Sequence, residues 1–160
     1  MSVKVDTKVW EQIKKNLKQG KDLELSVGYF PEAVYPDGTQ VAYIAMLNEE
    51  GHRNGPGAVF PDAYTPPRPF MRVGFKESMN SVVRKNWFRE SLERIVRGES
   101  TFALEYEYSG RLLVKEMQEV IEAWTTPPNS PVTVEIKGFN DPLILTGHMK
   151  DSVDFRVEKE

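Results

Sequence analysis

A chain of 160 residues with 39% hydrophobic and 28% charged content is the size of one domain with a modest apolar supply, so a single body over residues 1–160 with long excursions is expected. A net charge of -3 and a pI near 5.6 speak against a protein whose main task is gripping a phosphate backbone, and the absence of cysteine removes disulfides and thiolate zinc sites and suits a reducing cytoplasm. No stretch reaches the roughly 18 to 20 apolar residues a membrane helix needs, and the N-terminus carries charges without an apolar signal core, so a soluble protein with no membrane partner is expected.

In chain order, Asp6 is placed to cap a helix with Val9, Trp10, Ile13 and Leu17 at the helical period and Gly20 as its stop. Leu23, Leu25, Val27 and Tyr29 then alternate with Glu24, Ser26, Gly28 and Phe30, a strand ended by Pro31. Pro36, Asp37 and Gly38 make a turn, either a hairpin tip or a loose loop. A second helix from Val41 buries Ile44 and Leu47 and ends at Gly51. Residues 51–67 read as a Gly/Pro-rich loop or arm carrying Ala58, Val59, Phe60 and Tyr64. Its aromatics have two dry destinations, a neighbouring subunit or the chain's own core.

A long helical region follows, with Phe75, Met79, Val82 and Val83 on one stripe, and Phe88, Leu92, Ile95 and Val96 continuing it after a phase shift near Asn86. Gly98 closes it. A third long helix spans about 102–124 with Leu113, Met117, Val120, Ile121 and Trp124 on one side, and TTPPNSP breaks it. Val132, Val134 and Ile136 alternate with polar residues and predict a strand, and a final strand carries Val153, Phe155 and Val157 inward. The sum is an α+β fold, a small mixed sheet of short strands packed with three to four helices and an extended arm at about 51–67.

Catalytic motifs are scarce. The chain has no GxSxG elbow, Walker loop, dinucleotide fingerprint or HExxH. His52 and His148 lie far apart in Gly-flanked turns, where polar side chains are ordinary, and Glu49 and Glu50 are adjacent, hence aimed differently on a helix. The expectation is a protein without catalytic residues, metal or cofactor.

Three segments carry more information as an ordered set. They are residues 41–51 (VAYIAMLNEEG), 65–75 (TPPRPFMRVGF) and 142–157 (PLILTGHMKDSVDFRV). The first is similar to a helix ending in Asn-Glu-aromatic-Gly, with Glu50 in place of the aromatic. The second matches an Arg-Pro-Phe helix entry at Arg68, Pro69 and Phe70, with Val73 and Gly74 where Pro and Ala are usual. The third resembles a Thr-Gly-x-Leu-x-x-Ser strand entry at Thr146, Gly147, Met149 and Ser152, Met149 standing for Leu. In that order, around a helical middle, they resemble the tail-completion or neck-protein family of tailed bacteriophages, to which lambda's minor tail protein Z belongs. Read without the resemblance, Pro66, Pro67 and Pro69 stiffen a helix approach, and Arg68 and Phe70 are either a buried helix entry or contact residues. Thr146 and Gly147 turn the chain, Gly147 by a backbone conformation that a Cβ resists.

The resemblance implies a structural virion protein at the head-tail junction, assembled in the host cytoplasm and acting by subunit contact. It implies a ring of self-contacts, a hexamer to match a tail tube, touching neighbouring neck, connector and tail proteins while DNA passes through the lumen without specific binding. Phe60, Tyr64, Arg68, Phe70, Thr146 and Gly147 are the interface candidates. A tail terminator or head-tail connector ring is the nearest alternative. A DNA-binding accessory protein using Arg84, Lys85, Arg89, Arg94 and Arg97 is a second, against which the interspersed Glu77, Glu90 and Glu93 argue, and a metal-dependent hydrolase using His52 and His148 is a third.

Overall fold

In the computed structural model, which describes residues 7–58 and 60–159, the chain opens with helix α1 (Thr7–Gln19) and strand β1 (Leu23–Gly28). The Asp6 cap and Val59 of the arm lie outside the described residues. The Pro36-Asp37-Gly38 turn is a tight hairpin tip: Gly38 N donates to Tyr35 O at 2.9 Å, Tyr35 N to Thr39 O at 2.8 Å, and Val34 bridges Gln40. Helix α2 (Val41–Glu50) stops at Gly51, which sits at a positive φ of 72° in a space where a Cβ would strike Thr65 O and Pro67 N. The following residues form a hairpin of β2 (His52–Arg53) and β3 (Tyr64–Thr65). Helices α3 (Phe70–Asn80), α4 (Val82–Arg97) and α5 (Phe102–Ala123) succeed it, then the short α6 (Pro131–Lys137) and α7 (His148–Asp151), and finally strand β4 (Asp154–Lys159).

The α+β class holds, with seven helices and two antiparallel strand pairs among the described residues. β1 pairs with β4 from Leu23↔Lys159 to Gly28↔Asp154, so the first and last strands close one sheet. Val27 and Leu25 stand opposite Phe155 and Val157, and this apolar face packs on α5. Phe155 lies against Gly110 so closely that a Cβ on Gly110 would enter the ring. The main core gathers Val41, Ala45, Phe70, Met117, Ile121, Leu143, Met149 and Val153, joining α2, the start of α3, α5 and the C-terminal segment.

Four sequence expectations are corrected. Residues 132–137 are helical, because Ser130 caps α6 by accepting from Thr133 N at 3.1 Å, Pro131 occupies its first turn, and Gly138 closes it at φ 80°. Local caps override the alternation of β-branched residues over so short a run. The break in the long helical region falls at Ser81, whose extended backbone ends α3 and whose hydroxyl accepts from Arg84 N to start α4. α2 turns Val41 and Ala45 inward and leaves Ile44 and Leu47 half-buried. The largest departure concerns the apolar stripes: Val9, Trp10 and Leu17 of α1 are exposed, as are Phe75, Met79, Val82, Val83, Phe88 and Val96, while only Ile95 of the α4 stripe is buried.

The reason lies on the inward face of α4, which is polar. Arg84, Ser91 and Ile95 are its buried residues, spaced at seven and four to share one side. Arg84 donates to Ser109 Oγ at 3.1 Å and to Glu116 Oε2 at 2.7 Å, and Ser78 also bonds Glu116. About two to three turns further on, Arg94 makes two bonds to Glu105 at 2.9 and 2.8 Å, and Ser91 Oγ donates to the same carboxylate at 2.7 Å. Two charged clusters thus fasten α4 to α5 and turn its apolar side outward. At its far end Asn16 of α1 donates to Ile95 O at 3.1 Å, so α1 too is attached through a buried polar group.

Candidate functional site

The three segments singled out in the sequence meet at one junction. Arg68 is buried with 6% of its surface exposed, and all five guanidinium donors are used on neutral oxygens. Nε donates to Pro127 O, one terminal nitrogen to Asn48 Oδ1 and Pro142 O, and the other to Pro128 O and Asn129 Oδ1, all at 3.3 to 3.4 Å. Among the described residues no carboxylate pairs with Arg68 at salt-bridge distance, and burial pulls its pKa below the ordinary guanidinium value. Its own backbone N–H donates to Asn48 O at 2.7 Å. One side chain therefore ties the end of α2, the turn after α5 and the loop before α7 to the entry of α3.

Pro69 gives α3 no side-chain cap of its own. Glu49 supplies one from α2: its two carboxylate oxygens accept from Met71 N at 2.9 Å and Arg72 N at 3.1 Å, placing negative charge at the positive end of the helix. Glu50, its neighbour, pairs with Arg72 on the exposed side. Phe70 is fully buried in the core beside this cap. Sequence reasoning weighed Glu49 only as one of two adjacent carboxylates and missed this role, although a helix entry lacking Ser, Thr, Asp or Asn at the cap position is itself a signal that a distant side chain must serve.

Met149 and Val153 from the third segment lie in the same core, while Thr146 is exposed and Gly147 begins α7 at φ 83°. Thr146 Oγ1 accepts from His148 N at 3.3 Å, and His148 Nε2 meets Val34 O at 2.9 Å, fixing the hairpin tip to this turn. Of the six interface candidates, then, Arg68 and Phe70 are interior, Thr146 and Gly147 hold a turn, and Phe60 and Tyr64 are 41% and 60% exposed on the arm.

The arm is fastened within itself. Asn54 N donates to Ala63 O at 2.9 Å, Asp62 N to Asn54 O at 3.1 Å, and Asn54 Nδ2 to Phe60 O at 3.1 Å. Thr65 Oγ1 and Arg53 Nη1 add bonds to Asn54 Oδ1 and Asp62 O. On another part of the molecule, an open groove of about 590 Å³ runs between β1, α3, α4 and α5, walled by Leu23, Leu25, Phe75, Met79, Phe88 and Leu92.

The basic residues of α3 to α5 are mostly committed: Arg84 to Glu116, Arg94 to Glu105 and Arg97 to Glu93. His52 Nδ1 contacts Leu47 O and His148 contacts Val34 O, and among the described residues no three His, Cys, Asp or Glu side chains gather as a metal site. No helix among them is long and apolar enough to cross a membrane. Compared with known proteins, the chain matches no family model, no curated protein and no solved structure.

Proposed function

We propose that this chain is a structural virion protein of a tailed bacteriophage, a tail-completion or neck component that joins tail to head by assembling as a ring. The observation that carries the reading is the distribution of apolar side chains. Nine large ones on α1, α3 and α4, from Val9 to Val96, and two aromatics on the arm face outward, while charged side chains fill the seam between α4 and α5. Large apolar side chains exposed in this number, with Phe75, Met79 and Phe88 sharing one groove, fit a protein that buries them against partners. The ordered motifs support the same reading from a second direction, since their residues converge on one junction that determines how α2, α3 and the C-terminal segment are held. Function here is contact: the protein presents surfaces, and no reaction is assigned to it. DNA passing through such a ring would meet a chain whose buried arginines, Arg68 and Arg84, already donate to groups inside their own subunit.

A terminator or connector ring uses the same physics and is the second reading. Quantitative mass spectrometry of purified particles, against portal and tail-tube proteins, tests both. A small fixed copy number, about six or twelve as ring symmetry allows, is expected, and absence from particles would reject the structural role.

A further inference from the structure

We infer that the arm of one copy docks into the groove of the next, Phe60 and Tyr64 entering between β1, α3 and α4 of the neighbour. This rests on the ring reading above and names the two surfaces that make its contact.

Four observations converge. The arm is preorganised by its own hydrogen bonds and by the positive-φ Gly51 at its base, so docking costs it little further ordering. It carries two aromatics that its own chain leaves uncovered, and aromatics on a rigid hairpin are effective anchors. The groove is apolar and open, its rim residues Phe75, Met79 and Phe88 are 49%, 45% and 56% exposed, and no described residue of the arm lines it within its own chain. Charge also matches. The arm bears Arg53 and Asp62, the groove bears Glu24 and Lys85, and among the described residues none of the four has an ion-pair partner at salt-bridge distance. Arg53 against Glu24 and Asp62 against Lys85 would satisfy all four.

Two different surfaces on one chain make a head-to-tail contact, which closes into a ring when the rotation per subunit divides the circle. A second copy is therefore the occupant that this molecule itself supplies.

The cysteine-free sequence makes the test direct. Phe60→Cys and Met79→Cys are introduced singly and together, both at exposed positions, with circular dichroism as a check of folding. Under mild oxidation the double variant is expected to give a ladder of multimers ending in a closed species, and a mixture of the single variants to give the 60–79 heterodimer in preference to either homodimer. Predominant 79–79 linkage would show a groove-to-groove contact, predominant 60–60 linkage an arm-to-arm contact, and no linkage up to the highest soluble concentration no contact at all; each overturns the inference. Phe60→Ala with Tyr64→Ala is expected to weaken self-association by about tenfold or more while leaving the fold intact. The particle copy number is independent. A ring count in particles without the 60–79 link removes this contact alone, and a 60–79 ladder with the chain missing from particles removes the virion role alone.

Discussion

Arg68 shows how a single residue type is chosen by geometry. Five neutral oxygens from three separate stretches surround one guanidinium, and only a planar, five-donor cation can meet them together. Lysine has three donors and a more strongly hydrated charge, so Arg68→Lys leaves five oxygens, the carbonyls at 127, 128 and 142 with Asn48 Oδ1 and Asn129 Oδ1, competing for too few hydrogens. The variant is expected to lose about 2–4 kcal/mol in urea unfolding, with early exchange of amides near residues 127–129. Unchanged stability would mean that the clamp is decorative. Glu105 offers a residue-scale test by pH. Its bonds to Arg94, joined by that from Ser91, hold its pKa at about 2, below the ordinary 4.5. The unfolded chain takes up that proton first on acidification, so the contribution is complete above about pH 4.5 and is lost as pH falls from there toward 2. Glu105→Gln should therefore flatten the stability profile across that window, removing on the order of 2 kcal/mol of slope. An identical profile in the two proteins would rule out this carboxylate as the source.

At the scale of elements, opposing effects can be weighed at Gly110 in the middle of α5. Alanine there gains roughly 1 kcal/mol of helix propensity, but its Cβ would enter the ring of Phe155 on β4, and overpacking a core typically costs 1–3 kcal/mol, about the larger of the two. Net destabilisation of about 1 kcal/mol is expected for Gly110→Ala, and the sign should reverse when Phe155→Leu makes room. A double-mutant cycle by thermal unfolding reads this directly, and additive effects would show that helix and strand do not meet as described. Element existence was largely legible in the sequence: α1, β1, α2, α5 and β4 follow from periodicity, and Gly20, Gly51 and Gly98 mark real stops. Element type failed at residues 132–137 because so short a run holds too little periodicity to outweigh a Ser-Pro start and a Gly stop, signals that were present and local.

For the whole molecule the consequence is an inside-out division of labour between its two halves. Around Phe70 an ordinary apolar core joins distant segments, whereas α1 and α4 are held by buried Asn16, Arg84 and Glu105 and keep their apolar faces for something else. Polar attachment is weaker per residue than apolar packing and depends on every partner being present. On the ring reading proposed above, a neighbour covering those faces would stabilise α4 as well as add a contact. Of all this, the sequence by itself determined the α+β class, the longer helices and the paired strands β1 and β4, since these rest on local period, caps and turn residues. Tertiary structure alone decided which face of each helix is inside. An apolar stripe marks which residues share a face without saying whether that face lies inside, and here Glu105 and Glu116 on α5 drew the charged side of α4 inward and left its stripe to the surface.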